Sequence, residues 1–279
     1  MDRFAPYRAQ LDALETAGRK RRLSVPAGRD FSSNDYLGLS RSPYLRQVAQ
    51  NAIADGIAHG SGGSRLLGGN HPEHEALESF AASHYGAESS LFFGSGFAAN
   101  VALFATLPQT GDLVLYDEYV HASVHDGMKL GRAEYRSFRH NDCDAVEREI
   151  RAWRAAGGRG TAWIAAESLY SMDGDRAPLA ELARTADIHD AILVIDEAHA
   201  VGVYGKGGIG LSGDLGHREN VIILRTFGKA LGGEGGLLTM ATILREFFIN
   251  RARPFIFSTA PSPLTAHLAH HAIAHVADN

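Results

Sequence analysis

Thr226-Phe227-Gly228-Lys229-Ala230-Leu231-Gly232-Gly233 follows directly on the apolar run Val221-Ile222-Ile223-Leu224. The run reads as a strand buried on both faces, and it delivers a lysine set among small residues. A lysine is a nucleophile only when its amine is neutral, which requires desolvation or a neighbouring cation. Upstream, Ile192-Leu193-Val194-Ile195 ends in Asp196-Glu197-Ala198-His199, a second strand that carries charge to its C-terminal end. An aldehyde cofactor bonded to Lys229 as a Schiff base, with Asp196 on a ring nitrogen, accounts for both strand ends. Pyridoxal 5′-phosphate is such a cofactor. A plain surface or salt-bridged lysine is the alternative that these residues leave open.

Outward from this pair, strands and helices alternate. Strands are expected at 90–93, 113–116, 161–166, 191–196, 221–225 and 236–240. Helices are expected at 6–22, 44–58, 119–130, 142–156 and 178–189, with another from Pro72 to a stop at Gly86 and a last one after Pro261. Continuous apolar strands separated by helices imply an α/β fold whose mostly parallel sheet is covered on both faces. Ligands of such sheets bind beyond the C-terminal strand ends, so Glu167, Asp196, His199 and Lys229 should converge on one rim. Gly94-Ser95-Gly96-Phe97 sits between a strand and a helix start, where free backbone N–H groups suit a phosphate. An ordinary βα turn is the other reading. The residues lack the Lys-Ser/Thr of a P-loop and the full glycine fingerprint of a dinucleotide site. The glycine-rich run His59 to Arg65 is read either as a close approach to a ligand or partner chain, or as a flexible loop.

Composition narrows the function classes. The chain has 279 residues, 45% of them hydrophobic, enough for a sizeable core, and its net charge of −5 gives no basic footprint for nucleic acid. The cluster Arg19-Lys20-Arg21-Arg22 reads as a solvated helix end. Cys143 is the single cysteine, which excludes an intramolecular disulfide and any cysteine-rich metal site. His267, His270, His271 and His275 lie at helical spacings without nearby acids, so they read as helix surface or core rather than metal ligands. No apolar run approaches ~18 residues and no signal-peptide core is seen, so no membrane is expected and a cytoplasmic protein is.

Several stretches together resemble the α-oxoamine synthases, fold-type-I pyridoxal-phosphate enzymes that condense an amino acid with an acyl thioester. They are Asn34 to Leu39, Gly60 to Ser64, Ser95 to Asn100, His121-Ala122-Ser123, Ser171 to Asp175, Asp196 to His199 and Thr226 to Lys229. The resemblance implies a helix and substrate-side segment at 1–40, a cofactor-binding large domain at 41–258, and the start of a truncated C-terminal domain at 259–279. It implies Lys229 as the cofactor lysine and base, Asp196 on the pyridine nitrogen, His121 stacked on the ring and His199 at its phenolic oxygen. Glu167 and Ser171 would support the cofactor. Gly96, Phe97 and Thr226 would hold the phosphate, with Thr259 reaching it from the other subunit of a homodimer. Asn34 and Arg21 or Arg22 would face the substrates. Within the family the likeness is greatest to members that join L-alanine to a pimeloyl thioester, carried by coenzyme A or an acyl-carrier protein. A glycine- or serine-using sister enzyme, an aminotransferase and a cofactor-binding remnant without turnover are the rival readings. The resemblance also implies a C-terminal domain that supplies an arginine for the substrate carboxylate, and residues 1–279 are expected to lack its counterpart.

Overall fold

A computed structural model describes residues 2–25 and 27–279. Contacts group the chain into two units, Met1–Ser33 and Asn34–Asn279, a different division from the three expected segments. The first unit holds helix α1 (Ala5–Thr16), which buries no residue. It ends six residues short of the expected helix. The chain turns at Ala17 and Gly18, and Lys20 and Arg22 fold back to pair with Glu15 at 2.7 and 3.1 Å.

In the second unit the helices are α2 (Pro43–Ala54), α3 (Pro72–His84), α4 (Gly96–Thr106), α5 (Ala122–Leu130), α6 (Cys143–Ala155), α7 (Leu179–Ile188), α8 (Thr242–Arg251), α9 (Arg253–Ile256) and α10 (Pro263–Asp278). The strands are β1 (Ser89–Phe93), β2 (Leu113–Asp117), β3 (Glu134–Phe138), β4 (Ala162–Glu167), β5 (Ile192–Asp196), β6 (Val221–Thr226) and β7 (Gly236–Met240). They form one seven-stranded sheet in the order β1-β7-β6-β5-β4-β2-β3. Only β7 runs against the direction of the other six strands, so the expected mostly parallel sheet is present.

Both faces of the sheet are covered, and alternation along each strand feeds two cores. Val114, Trp163, Ala165, Val194, Ile222 and Leu224 pack with α4, α5 and α8. Leu115, Ile164, Ala166, Leu193, Ile195 and Ile223 pack with α6 and α7. Each Val, Leu or Ile among them contributes roughly 1.5–3 kcal/mol when fully buried, which is why these strands read so clearly as apolar runs. Three elements lie outside the sequence expectation: β3, α8 and the four-residue α9. Strand β3 is Glu-Tyr-Arg-Ser-Phe at the sheet edge with only Phe138 buried, so it carries no apolar run. Helix α8 buries little beyond Phe248 and lacks a clear apolar stripe.

The glycine-rich run braces α10. Ala260 N–H donates to Gly63 O at 2.9 Å, Leu264 N–H to Ala58 O at 3.2 Å, and the Ser61 hydroxyl to Pro261 O at 2.5 Å. The histidines of α10 pack against rings: His270 on Phe80 at 4.3 Å between centroids, His275 stacked on Tyr44 at 4.5 Å. No group of three or more metal-ligating side chains occurs among the described residues, and no helix there is long and apolar enough to cross a membrane.

One buried ionic network ties these parts together. Arg65 donates twice to Glu78, at 2.8 and 3.1 Å, with both side chains at most 6% exposed. Glu78 also accepts Phe92 N–H at 2.9 Å and Arg245 at 3.2 Å. Removing one partner leaves buried charge uncompensated, at a cost of about 3–5 kcal/mol. Glu78→Ala should therefore lower unfolding free energy by about that amount in a urea titration followed by circular dichroism. A loss within about 0.5 kcal/mol, typical of a surface change, would contradict this.

Candidate active site

Three strands end with a polar residue on the same face of the sheet. Glu167 closes β4, Asp196 closes β5 and Thr226 closes β6, each two residues beyond a side chain of the α4-facing core. The β4:β5 register sets Glu167 directly opposite Asp196. The nine residues from Phe227 to Gly235 then connect β6 to antiparallel β7, closed by Phe227 N–H to Gly235 O at 3.0 Å and Gly233 N–H to Phe227 O at 2.8 Å. Lys229 rides on this connection, at the C-terminal rim.

The Lys229 amine lies 2.6 Å from His199 Nε2, and His199 Nδ1 lies 2.8 Å from the Tyr36 hydroxyl. Burial lowers the Lys229 pKa, while Asp196 and Glu167 pull it the other way. Burial, then the nearby Lys229 charge, pushes His199 down to about 4, so its ring is neutral at physiological pH. A half-buried lysine beside a neutral imidazole is an amine that gives up its proton more readily than an exposed lysine does.

Asp196, 8% exposed, is held on both oxygens. Asn100 Nδ2 donates to Oδ2 at 2.9 Å, and Ala198 N–H donates to Oδ1 at 2.9 Å. Asn100 also donates to Ser123 Oγ at 3.0 Å, whose hydroxyl reaches His121 Nδ1 at 2.8 Å. Ser123 N–H points at the same nitrogen, at 3.3 Å. Nδ1 of His121 is thus an acceptor, which puts the ring proton on Nε2. The exposed His121 ring stands edge-on to Phe97, 6.2 Å between centroids. Asn100 and Ser123 fall within stretches that carry the family resemblance, but sequence reasoning gives neither a role. The available cue is a polar residue inside the apolar start of α4, four positions after Gly96.

Glu167 is 4% exposed, and burial followed by repulsion from Asp196 pushes its pKa up to about 8. Glu197 faces away, toward the other core, and is fully buried. It accepts Ser168 Oγ–H at 2.8 Å and Leu211 N–H at 3.2 Å, pinning the turn after β4 to the loop after β5. A Cβ on Gly210 would come within 2.4 Å of a Glu197 oxygen, and Gly210 has φ +97°, so this close approach needs glycine. Arg225, 1% exposed, lies 3.8 Å from the centre of the Tyr85 ring and donates to Thr239 Oγ1 at 3.0 Å.

Ser95 caps α4, its hydroxyl accepting Ala98 N–H at 3.0 Å. The first-turn amides of Gly96 and Phe97 remain oriented along the helix axis, as such amides are. A Cβ on Gly96 would sit 3.4 Å from Thr226, filling the gap between that turn and the Thr226 hydroxyl. Lys229, His199, Asp196, Glu167 and His121 are therefore brought together, with Thr226 and Gly96 adjoining. Asn34 joins through Tyr36, whose hydroxyl donates to Asn34 Oδ1 at 3.1 Å. Ser171 is exposed on the turn after β4, and Thr259 is exposed between α9 and α10. Arg21 and Arg22 are exposed in the N-terminal unit.

The aminotransferase class I and II profile matches residues 28–278. The 8-amino-7-oxononanoate synthase of Chlorobaculum parvum is 41% identical over 259 residues, 90% of this chain and 66% of that protein. Among solved structures, the 8-amino-7-oxononanoate synthase of Francisella tularensis has a TM-score of 0.72 at 29% identity, covering 89% of this chain and 69% of that one. A serine palmitoyltransferase from S. paucimobilis, solved as a variant with a PLP–myriocin adduct bound, has a TM-score of 0.85 at 26% identity, covering 98% of this chain and 74% of that one. The chain spans about two thirds of the length of the curated relatives it matches.

Glu167 generates a pH signature. Its pKa is raised on folding from 4.5 to about 8, so across that window the folded chain holds a proton that the unfolded chain has lost. The contribution is destabilising as pH rises from about 4.5 toward 8. Glu167→Gln should flatten this decline in a series of urea midpoints, and an unchanged slope would contradict the assignment.

Proposed function

The chain belongs to the aminotransferase class I and II family, and on that premise we propose that it binds pyridoxal 5′-phosphate at the Lys229 rim and acts as an acyltransferase of biotin synthesis. The reaction joins L-alanine to a pimeloyl thioester, releasing the thiol carrier and carbon dioxide and leaving 8-amino-7-oxononanoate. The observation that carries this reading is the pairing of a partly buried Lys229 amine, 2.6 Å from His199, with a buried Asp196 carboxylate on one sheet rim.

The residues present fit the cofactor. Asp196, its oxygens already oriented by Asn100 and Ala198, suits a protonated ring nitrogen. The Gly96 and Phe97 amides with the Thr226 hydroxyl suit a phosphate, and the gap between them closes if Gly96 gains a side chain. His121 would lie against the ring and His199 at its oxygen. Glu167 and Ser171 would support that side, and Thr259 would come from the second subunit of a homodimer. On this reading residues 41–258 form the cofactor-binding domain and 259–279 lead into a further domain.

When bound, the cofactor supplies a conjugated ring that takes up the electron pair released at the amino-acid α-carbon. The chain's own residues supply the rest. Lys229 is the only lysine among these rim residues and acts as the base that removes the α-proton and returns one after carbon dioxide leaves. Asp196 stays fixed because Asn100 and the Ala198 N–H beyond β5 hold its two oxygens. Glu167, keeping its proton near neutrality, spares Asp196 a second anion beside it. Asn34 and either Arg21 or Arg22 would serve the substrate side, the arginine by charge-assisted pairing with a carboxylate or carrier phosphate. The likeness to serine palmitoyltransferase supports a second reading, a sister reaction in which serine replaces alanine.

Borohydride reduction of the cofactor-loaded protein should fix the cofactor mass on the peptide containing Lys229, and Lys229→Ala should lose it. Trapping on a different lysine would refute the assignment. Mass spectrometry after mixing loaded protein with a pimeloyl thioester and either alanine or serine should show the alanine product. A serine product would favour the second reading.

A further inference from the structure

Tyr36 lies on the turn after Asn34, and its hydroxyl touches both Asn34 Oδ1, at 3.1 Å, and His199 Nδ1, at 2.8 Å. A phenol has one proton and two acceptor directions. The amide oxygen of Asn34 only accepts, so the Tyr36 proton points there. Its oxygen is then left to accept from His199, which places the imidazole proton on Nδ1. Nε2, 2.6 Å from Lys229 Nζ, is consequently a bare lone pair facing the amine. Other ionisable groups that act on this lysine and ring are Asp196, Glu167 and His121. None of them hydrogen-bonds His199 among the described residues.

We propose that Tyr36 is a positioning residue that holds His199 in its Nδ1–H form and so keeps Nε2 as the proton acceptor for Lys229. The chain Asn34–Tyr36–His199–Lys229 also gives protons a path to water, because Tyr36 is 46% exposed. A proton leaving the Lys229 ammonium bonds to His199 Nε2. The Nδ1 proton moves to the Tyr36 oxygen, and the phenolic proton passes to solvent. Nitrogen and oxygen each keep their valence; the net change is one ammonium proton delivered to water and His199 left in its Nε2–H form, which returns to Nδ1–H by exchanging protons with water before the next transfer. The role of this relay in turnover rests on the cofactor reading above; the tautomer itself does not.

The test uses the full chain without cofactor, with histidine labelled with nitrogen-15. Long-range proton–nitrogen spectra distinguish the two tautomers at pH 7.5. Wild type should show His199 at least nine-tenths Nδ1–H, as expected for one strong directional hydrogen bond of about 1.5 kcal/mol. Tyr36→Phe keeps the ring and removes the hydroxyl, and should give a mixture with at least a third Nε2–H. Asn34→Leu frees the Tyr36 proton to turn toward His199, and should move the ring to mostly Nε2–H. A wild-type ring that is mainly Nε2–H, or one unmoved by both substitutions, overturns the proposal. In loaded protein, Tyr36→Phe should slow exchange of the alanine α-proton with deuterated water about tenfold while leaving alanine affinity within twofold. An unchanged exchange rate overturns the relay. Because the spectra need no cofactor, a failed borohydride trap would leave the tautomer assignment standing.

Discussion

The Asp196 carboxylate is the constraint from which the rest of the site follows. An ionised carboxylate almost out of contact with water is expensive unless polar and cationic partners surround it. Here a helix, a loop and a neighbouring strand end all serve that need. Helix α4 brings Asn100 across to one oxygen, and the chain beyond β5 turns so that Ala198 N–H meets the other. The β6–β7 connection adds the Lys229 charge to its electrostatic surroundings. Against these stands Glu167, set opposite by strand pairing, and the repulsion is relieved by its retaining a proton.

A second carboxylate does the corresponding work on the other face. Glu197 has no exposure at all, and every oxygen contact it makes is to a loop rather than to a ligand-facing group. It gathers the turn bearing Ser168 and the glycine-rich curl before Leu211 into one rigid floor. Adjacent residues in a strand end point to opposite faces, so Asp196 and Glu197 divide the labour: one orients chemistry, the other holds the scaffold beneath it.

How much of this is legible in the sequence follows from what each element buries. The central strands are visible because both faces are covered and their runs are uninterruptedly apolar. Edge strand β3 is not, since Glu134, Tyr135 and Ser137 face solvent and mimic a loop. Helix α1 reads too long because the basic residues after Thr16 are good helix formers, whereas Lys20 and Arg22 return to Glu15. At the rim, Lys229, Asp196 and His199 are readable from their positions after apolar strands. Asn100, Ser123 and Tyr36 are not, because their significance lies in partners 23 to 163 positions away along the chain.

The way β4 and β5 are buried carries one more consequence. Most half-buried strands resist sliding because a shift of one residue would throw apolar side chains into water. Strands β4, β5 and β6 enjoy no such protection, since their residues are enclosed almost throughout on either side. Slippage there would forfeit little greasy contact, yet it would swing Asp196 into the opposite layer. Alignment must then be enforced by polar clasps at the strand tips, Asn100 with Asp196 and Ser168 with Glu197. The same atoms that prepare the rim for chemistry also serve as the ruler by which the sheet finds its frame.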